Sequence, residues 1–162
     1  MGKYMEKMFT TDADYFNLHY VLDPATGKPK VGAEPEKNMQ EDYYRYMKVG
    51  KMLLRSQIDT QGEDEHGNPI VFELKTRATA PLRYDIINYV DYLDYHILKY
   101  KGLYGSFERE LYDLVRGGFL KYIMQMKIGQ MQGAAIAYHN TQKIFGFEYI
   151  KLEEMEKRVF GC

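Results

Sequence analysis

The stretch from Arg55 to Arg77, RSQIDTQGEDEHGNPIVFELKTR, decides how the rest of the chain is read. Its second half, IVFELKTR, follows a period of two: Phe72, Leu74 and Thr76 point one way, Glu73, Lys75 and Arg77 the other. In the run before it, Met52, Leu54 and Ile58 alternate with Arg55, Gln57 and Asp59. The expectation is a hairpin of two strands around the polar turn GEDEHGNP (62–69), each with one apolar and one charged face. The apolar faces predict a sheet with one buried layer. Asp59, thirteen residues, then Glu73-x-Lys75 is the spacing of a metal-dependent nuclease hairpin.

That chemistry needs a hard cation, an activated water and positive charge near the phosphate. Carboxylates bind Mg2+ or Mn2+, usually with several waters kept. Asp59 and Glu73 from adjacent strands supply two ligands, and the Leu74 backbone carbonyl a third. Lys75 shares the Glu73 face and orients the water or stabilises charge. Arg77 and Arg83 are placed to hold substrate phosphates, and Glu6 adds an outer carboxylate from a helix over residues 3–9. The plain alternative is an exposed same-face ion pair, which is worth little.

Outward from the hairpin, YYRYMKVGK (43–51) predicts an edge strand ending near Gly50. DPATGKPKVGAEPEKN lies in a long loop, 22–40, the best candidate for a flexible or partner-dependent segment. YDIINYVDYLDYHILKY predicts an amphipathic helix with Ile86, Tyr89, Val90, Leu93, Ile97 and Tyr100 on one face. Ser106 then reads as the N-cap of a second long helix. Its inward stripe is Phe107, Leu111, Leu114, Val115, Phe119, Tyr122 and Met126, with Gln125 inside it. A glutamine there must find partners or a task. GAAIAYH (133–139) and KIFGFEYI (143–150) read as a strand pair, and KLEEMEKRVF as a closing helix. The order α, loop, β, β, β, α, α, β, β, α predicts an α/β domain with a mixed central sheet flanked by helices.

At 162 residues, with 45% hydrophobic and 28% charged residues, the composition is that of one globular domain, 1–162. No apolar run approaches the ~20 residues a membrane-spanning helix needs. The chain opens on a helical pattern with no signal or transit pattern, and is expected to be a piece of a longer protein. A net charge of −1 gives no general attraction to nucleic acid, so any phosphate-binding surface must be a local basic patch. Sixteen tyrosines and no tryptophan are read first as filling for a small core, and second as surfaces for stacking on bases. The four histidines are scattered, and Cys162 has no positioned base beside it.

The hairpin QIDTQ…VFELKTRA, the helix FERELYDLVRGGFLKY and the tail AYHNTQKIFGFEYIKLEEM together resemble the fungal Pet-type family of mitochondrial RNA-processing and degradation proteins, of the PD-(D/E)XK nuclease superfamily. The resemblance runs over essentially the whole chain, and family members are longer. It implies a restriction-endonuclease-like core with Glu6 as the helix-one carboxylate, Asp59 as the first strand acid, Glu73 and Lys75 as the E-x-K pair, and Gln125 as the helix glutamine. Two positions depart from the superfamily pattern: Gly129 stands where tyrosine is frequent, and Ile58 where proline is. Neither removes a metal ligand. The resemblance further implies a 5′-to-3′ exoribonuclease using Mg2+ or Mn2+ on single-stranded RNA in mitochondria, with other RNA-processing proteins as partners and peripheral membrane association. The alternatives are a DNA exonuclease of the same superfamily, or a catalytically inactive RNA-binding or assembly module.

Overall fold

The computed structural model describes residues 7–8, 11–30 and 43–161. Its elements are α1 (Ala13–His19), β1 (Tyr43–Val49), β2 (Met52–Ile58), β3 (Thr60–Glu63), β4 (Pro69–Ala78), α2 (Ala80–Tyr84), α3 (Phe107–Gly117), α4 (Phe119–Gly129), β5 (Gly133–His139), β6 (Ile144–Lys151) and α5 (Leu152–Phe160). A four-stranded sheet has the order β3-β4-β5-β6, and β1-β2 form a separate two-stranded ribbon. The sheet is mixed, because β4 and β5 run parallel and the other pairs antiparallel. The parallel pair requires a crossover, which α3 and α4 provide.

Helices α3, α4 and α5 pack on one face of the sheet. Val71 of β4, Ala134, Ile136 and Tyr138 of β5 and Ile150 of β6 meet Leu114 of α3, Phe119, Ile123 and Met126 of α4, and Met155 of α5 in one core. By register, Glu73 lies beside Ala134, Lys75 beside Ile136 and Arg77 beside Tyr138. The charged set of β4 therefore lies on the helix-covered face, not opposite the buried layer. Val71 and Glu73 are buried, and their apolar counterparts Phe72 and Leu74 face the other side, where Phe72 meets the edge of the Tyr149 ring at 5.9 Å. The pairing of Glu73 with Lys75 offsets part of the cost of burying charge under the helices.

The expected hairpin is divided. Only Thr60–Glu63 pairs with β4, Thr60 opposite Phe72, whereas Met52–Ile58 pairs with β1. Asp59 is the joint between the two sheets. Its turn is tight: the Asp64 carboxylate accepts from the His66 and Asn68 N–H groups at 2.8 and 2.9 Å.

The predicted helix over YDIINYVDYLDYHILKY does not form. Its place is taken by a 3-10 turn over Tyr89–Tyr92 and irregular chain, after the short α2 ends at Tyr84. Local side chains compete with the helix: the Asp85 carboxylate accepts from the Asn88 side chain and the Tyr92 hydroxyl. The buried Asn140 amide donates to the Leu93 and Tyr95 carbonyls, which a helix would have used internally. Ile86, Val90 and Tyr100, predicted to be inward, are exposed.

The second helix begins where predicted, the Ser106 hydroxyl accepting from the Arg109 N–H at 3.1 Å. It breaks into α3 and α4 at Gly118, where a Cβ would lie 2.7 Å from Leu114 Cδ1, so that a side chain there would have to displace the buried Leu114. The segment Ala13–His19, between the expected first helix and the long loop, is a helix capped by the Asp12 carboxylate. Residues 22–30 of the expected long loop are turns with one bridge between Leu22 and Pro29, and 31–40 lie outside the described residues. The helix expected over 3–9 lies mostly outside them as well. Among the described residues, no helix is long and apolar enough to cross a membrane.

Candidate active site

Glu73 is about 1% exposed on the central strand β4, beneath α4. Two donors reach one of its oxygens: the Lys75 ammonium, two residues along the same strand face, and Gln125 Nε2 at 2.5 Å from the inward face of α4. The glutamine that the sequence places inside an apolar stripe thus finds its partner in the strand acid. The second oxygen, Oε2, is buried without a hydrogen-bond partner. Burial raises the Glu73 carboxyl to about 7; the hydrogen bond and charge of Lys75 oppose that rise, and the Asp59 carboxylate, like-charged and close enough to share a proton with Glu73, adds to it.

Asp59 reaches this group from the joint between β2 and β3. Its Oδ2 accepts from the Leu74 N–H at 3.3 Å. The Thr60–Phe72 pairing ends the β3 ladder, so beyond Phe72 the edge of β4 opens toward Asp59. In a strand the N–H and C=O of one residue project to the same edge, so the Leu74 carbonyl is directed to that side too. The structure therefore brings together Asp59, Glu73, Leu74, Lys75 and Gln125. Glu6 lies outside the described residues.

The donor set suits a hard divalent cation. It consists of oxygens alone, two carboxylates and a backbone carbonyl, and one of the carboxylate oxygens is buried with no partner. Among the described residues no group of three or more His, Cys, Asp or Glu side chains could hold a metal ion. Two carboxylates with retained water are nonetheless a usual Mg2+ set.

The two arginines differ. Arg77 stands on the Glu73 face; burial and the nearby Arg83 charge lower its pKa, and its buried Nε has no hydrogen-bond partner. Arg83 is committed to structure: it donates to the Ala78 carbonyl, to Glu110 Oε2 and to Asp113 Oδ2, tying α2 to α3. Tyr122, read from sequence only as a member of the apolar stripe, has its ring centroid 5.8 Å from the Lys75 ammonium. Its spacing of three from Gln125 puts both on the same side of α4, and was the signal available for it.

The family described as mitochondrial protein Pet127 matches residues 1–162. The mRNA degradation protein pet127, mitochondrial, of Schizosaccharomyces pombe is 39% identical over 163 residues, covering 99% of this chain and 29% of that protein. The putative mitochondrial translation system component PET127 of Saccharomyces cerevisiae is 37% identical over 141 residues, 85% of this chain and 17% of that protein. The chain thus spans less than a third of the length of either relative. On a match over its whole length, this chain belongs to the Pet127 family of mitochondrial proteins.

Proposed function

We propose that this domain is the catalytic core of a metal-dependent exoribonuclease of PD-(D/E)XK type, acting 5′ to 3′ in mitochondrial RNA 5′-end processing and degradation. The observation that carries the reading is Glu73 Oε2, a buried carboxylate oxygen without a partner beside a second carboxylate and a lysine. An orphaned buried acceptor is costly unless something binds it. The S. pombe relative's name, an mRNA degradation protein, supports RNA as the substrate.

Asp59, Glu73 and the Leu74 carbonyl would hold one Mg2+ or Mn2+. When bound, such an ion supplies Lewis-acid polarisation of the phosphate and a water of lowered pKa. Gln125 fixes the Glu73 carboxylate by holding Oε1, so that Oε2 faces the ligand side. Lys75 holds and orients the attacking water and stabilises the charge that grows on the phosphate. Arg77, with an unengaged Nε, holds the neighbouring phosphate.

The test is cleavage of 5′-labelled single-stranded RNA and DNA oligonucleotides by wild type, Asp59→Ala and Lys75→Ala, in Mg2+, Mn2+ or EDTA. Mononucleotides released from the 5′ end of RNA, only with metal and only by wild type, are expected. Equal cleavage by the variants overturns the site. A ladder from DNA alone overturns the substrate. Cleavage of neither, with no Asp59- or Glu73-dependent binding of Mg2+ or Mn2+ by calorimetry, points to the inactive module.

A further inference from the structure

Sixteen tyrosines do not fill the core: among the described residues Tyr138 is the one buried tyrosine. Several of the rest are gathered where the charge is also unusual. Residues 43–58, YYRYMKVGKMLLRSQI, hold Arg45, Lys48, Lys51 and Arg55 and no acid, in a chain whose net charge is −1. They form the β1-β2 ribbon, turned at Gly50, which has a φ of +58°.

The register sorts the two faces. Tyr44 opposes Gln57, Tyr46 opposes Arg55 and Lys48 opposes Leu53, so these six share one face; Arg45, Met47, Leu54, Ser56 and Ile58 share the other. The second face turns inward: Ile58 belongs to the core, a Cβ at Gly129 of α4 would lie 3.1 Å from Ser56 Oγ, and Arg45 Nη1 donates to the Gln130 carbonyl at 3.5 Å. All six residues of the first face are exposed, Tyr46 at 56% and Leu53 at 70%. Arg55 stacks over the Tyr44 ring at 4.5 Å, which presents a flat cationic surface.

A strand face with tyrosines and a stacked arginine, flanked by lysines, matches unstacked bases and their phosphates. It does not match a duplex, whose bases are already stacked. The ribbon also leads to the right place. Along β2 the period of two runs Arg55, Gln57 and next Asp59, the acid at the candidate metal site.

Resting on the nuclease reading above, we propose that the exposed face of the β1-β2 ribbon is the track on which single-stranded RNA lies as its end enters the Asp59–Glu73 site. Tyr44 and Tyr46 stack on bases, Arg55 stacks and pairs with phosphate, and Lys48 neutralises phosphate.

The test separates binding from chemistry. Fluorescence anisotropy of a labelled single-stranded oligouridine is measured with the full chain in EDTA, where no metal-dependent cleavage interferes. Tyr46→Ala and Arg55→Ala are each expected to weaken binding by about tenfold or more, and Tyr46→Phe to retain it, since stacking needs the ring and not the hydroxyl. The double variant Lys48→Ala/Arg55→Gln, exposed at both positions, is expected to lower the salt slope of binding by about 0.7 per lost phosphate contact. Tyr100→Ala, on an exposed tyrosine away from the ribbon, is expected to bind as wild type does. Asp59→Ala should bind and not cleave. If, with Mg2+ restored, Asp59→Ala cleaves as wild type does while the ribbon variants lose binding in EDTA, the Asp59 site falls and the binding face stands. Wild-type affinity in Tyr46→Ala, Arg55→Ala and the double variant overturns the track, as does a duplex that binds as tightly as the single strand.

Discussion

Glu73 and Glu110 are the same residue type at the same burial, each about 1% exposed and each paired with one basic side chain, yet they are built for different ends. Glu110 is complete. Its Oε1 accepts from the Ala80 N–H at 2.7 Å and its Oε2 from Arg83, which also holds Asp113. Glu73 concentrates its two donors, Lys75 and Gln125, on Oε1 and leaves Oε2 buried without one. A buried acid with both oxygens bonded fixes two elements together. One with an open oxygen beside a second carboxylate is set for a ligand that the chain itself does not supply.

The largest effect should come from breaking the complete site. Glu110→Ala leaves the Arg83 guanidinium and the Ala80 N–H without their buried partner, and loss of one member of such a pair costs about 3–5 kcal/mol. For a chain of this size that is a fall in Tm of about 6–20 °C, read by calorimetry. A Tm unchanged within error would mean that Glu110 is not a clamp. Breaking the open site should do the reverse. Asp59→Asn keeps an acceptor for the Leu74 N–H but loses a charge that faces the candidate cation. Cleavage of labelled RNA should drop by more than about a hundredfold, the upper range for an outer-shell partner alone, while Tm moves little. A large fall in Tm with cleavage intact would reverse the roles assigned to the two acids.

Much of this is legible in the sequence. The period of two along IVFELKTR put Glu73, Lys75 and Arg77 on one face, and helical spacing put Gln125 inward, because both depend only on local geometry. What was not legible depended on long-range partners. Nothing in Met52–Ile58 says that it pairs with β1 rather than β4, since both candidate partners are strands long enough to pair with all of it. The stripe from Ile86 to Tyr100 is as regular as that from Phe107 to Met126, but the first stretch carries Asp85, Asn88 and Asn140's claim on two of its carbonyls, while the second carries a serine cap. Composition alone assigns the tyrosines to the core, because it does not see that the basic ribbon faces outward.

Divalent metal sharpens the contrast further. Mg2+ or Mn2+ at a hundred times its Kd should stabilise wild type by about 2.7 kcal/mol and give Glu73→Gln almost nothing, because only the folded carboxylate site binds it. Glu110 variants, measured relative to their own metal-free Tm, should keep that gain in full. Equal gains in Glu73→Gln and wild type would place the cation elsewhere.

The smallest effect is the most discriminating. Without metal, Glu73→Gln changes a buried carboxylate for an amide of nearly the same shape. The amide oxygen can accept from Lys75 and Gln125, and the amide nitrogen takes the place of an oxygen that had no partner. Replacing an unsatisfied buried charge by a neutral isostere should leave stability within about 1 kcal/mol of wild type, or raise it. The same change at Glu110 puts an amide nitrogen against the Arg83 guanidinium or the Ala80 N–H, donor against donor, and must destabilise. Calorimetry in EDTA on the two Glu→Gln variants reads this directly. A Tm that falls equally in both would mean that Glu73, like Glu110, is held for the fold and not kept open for a ligand.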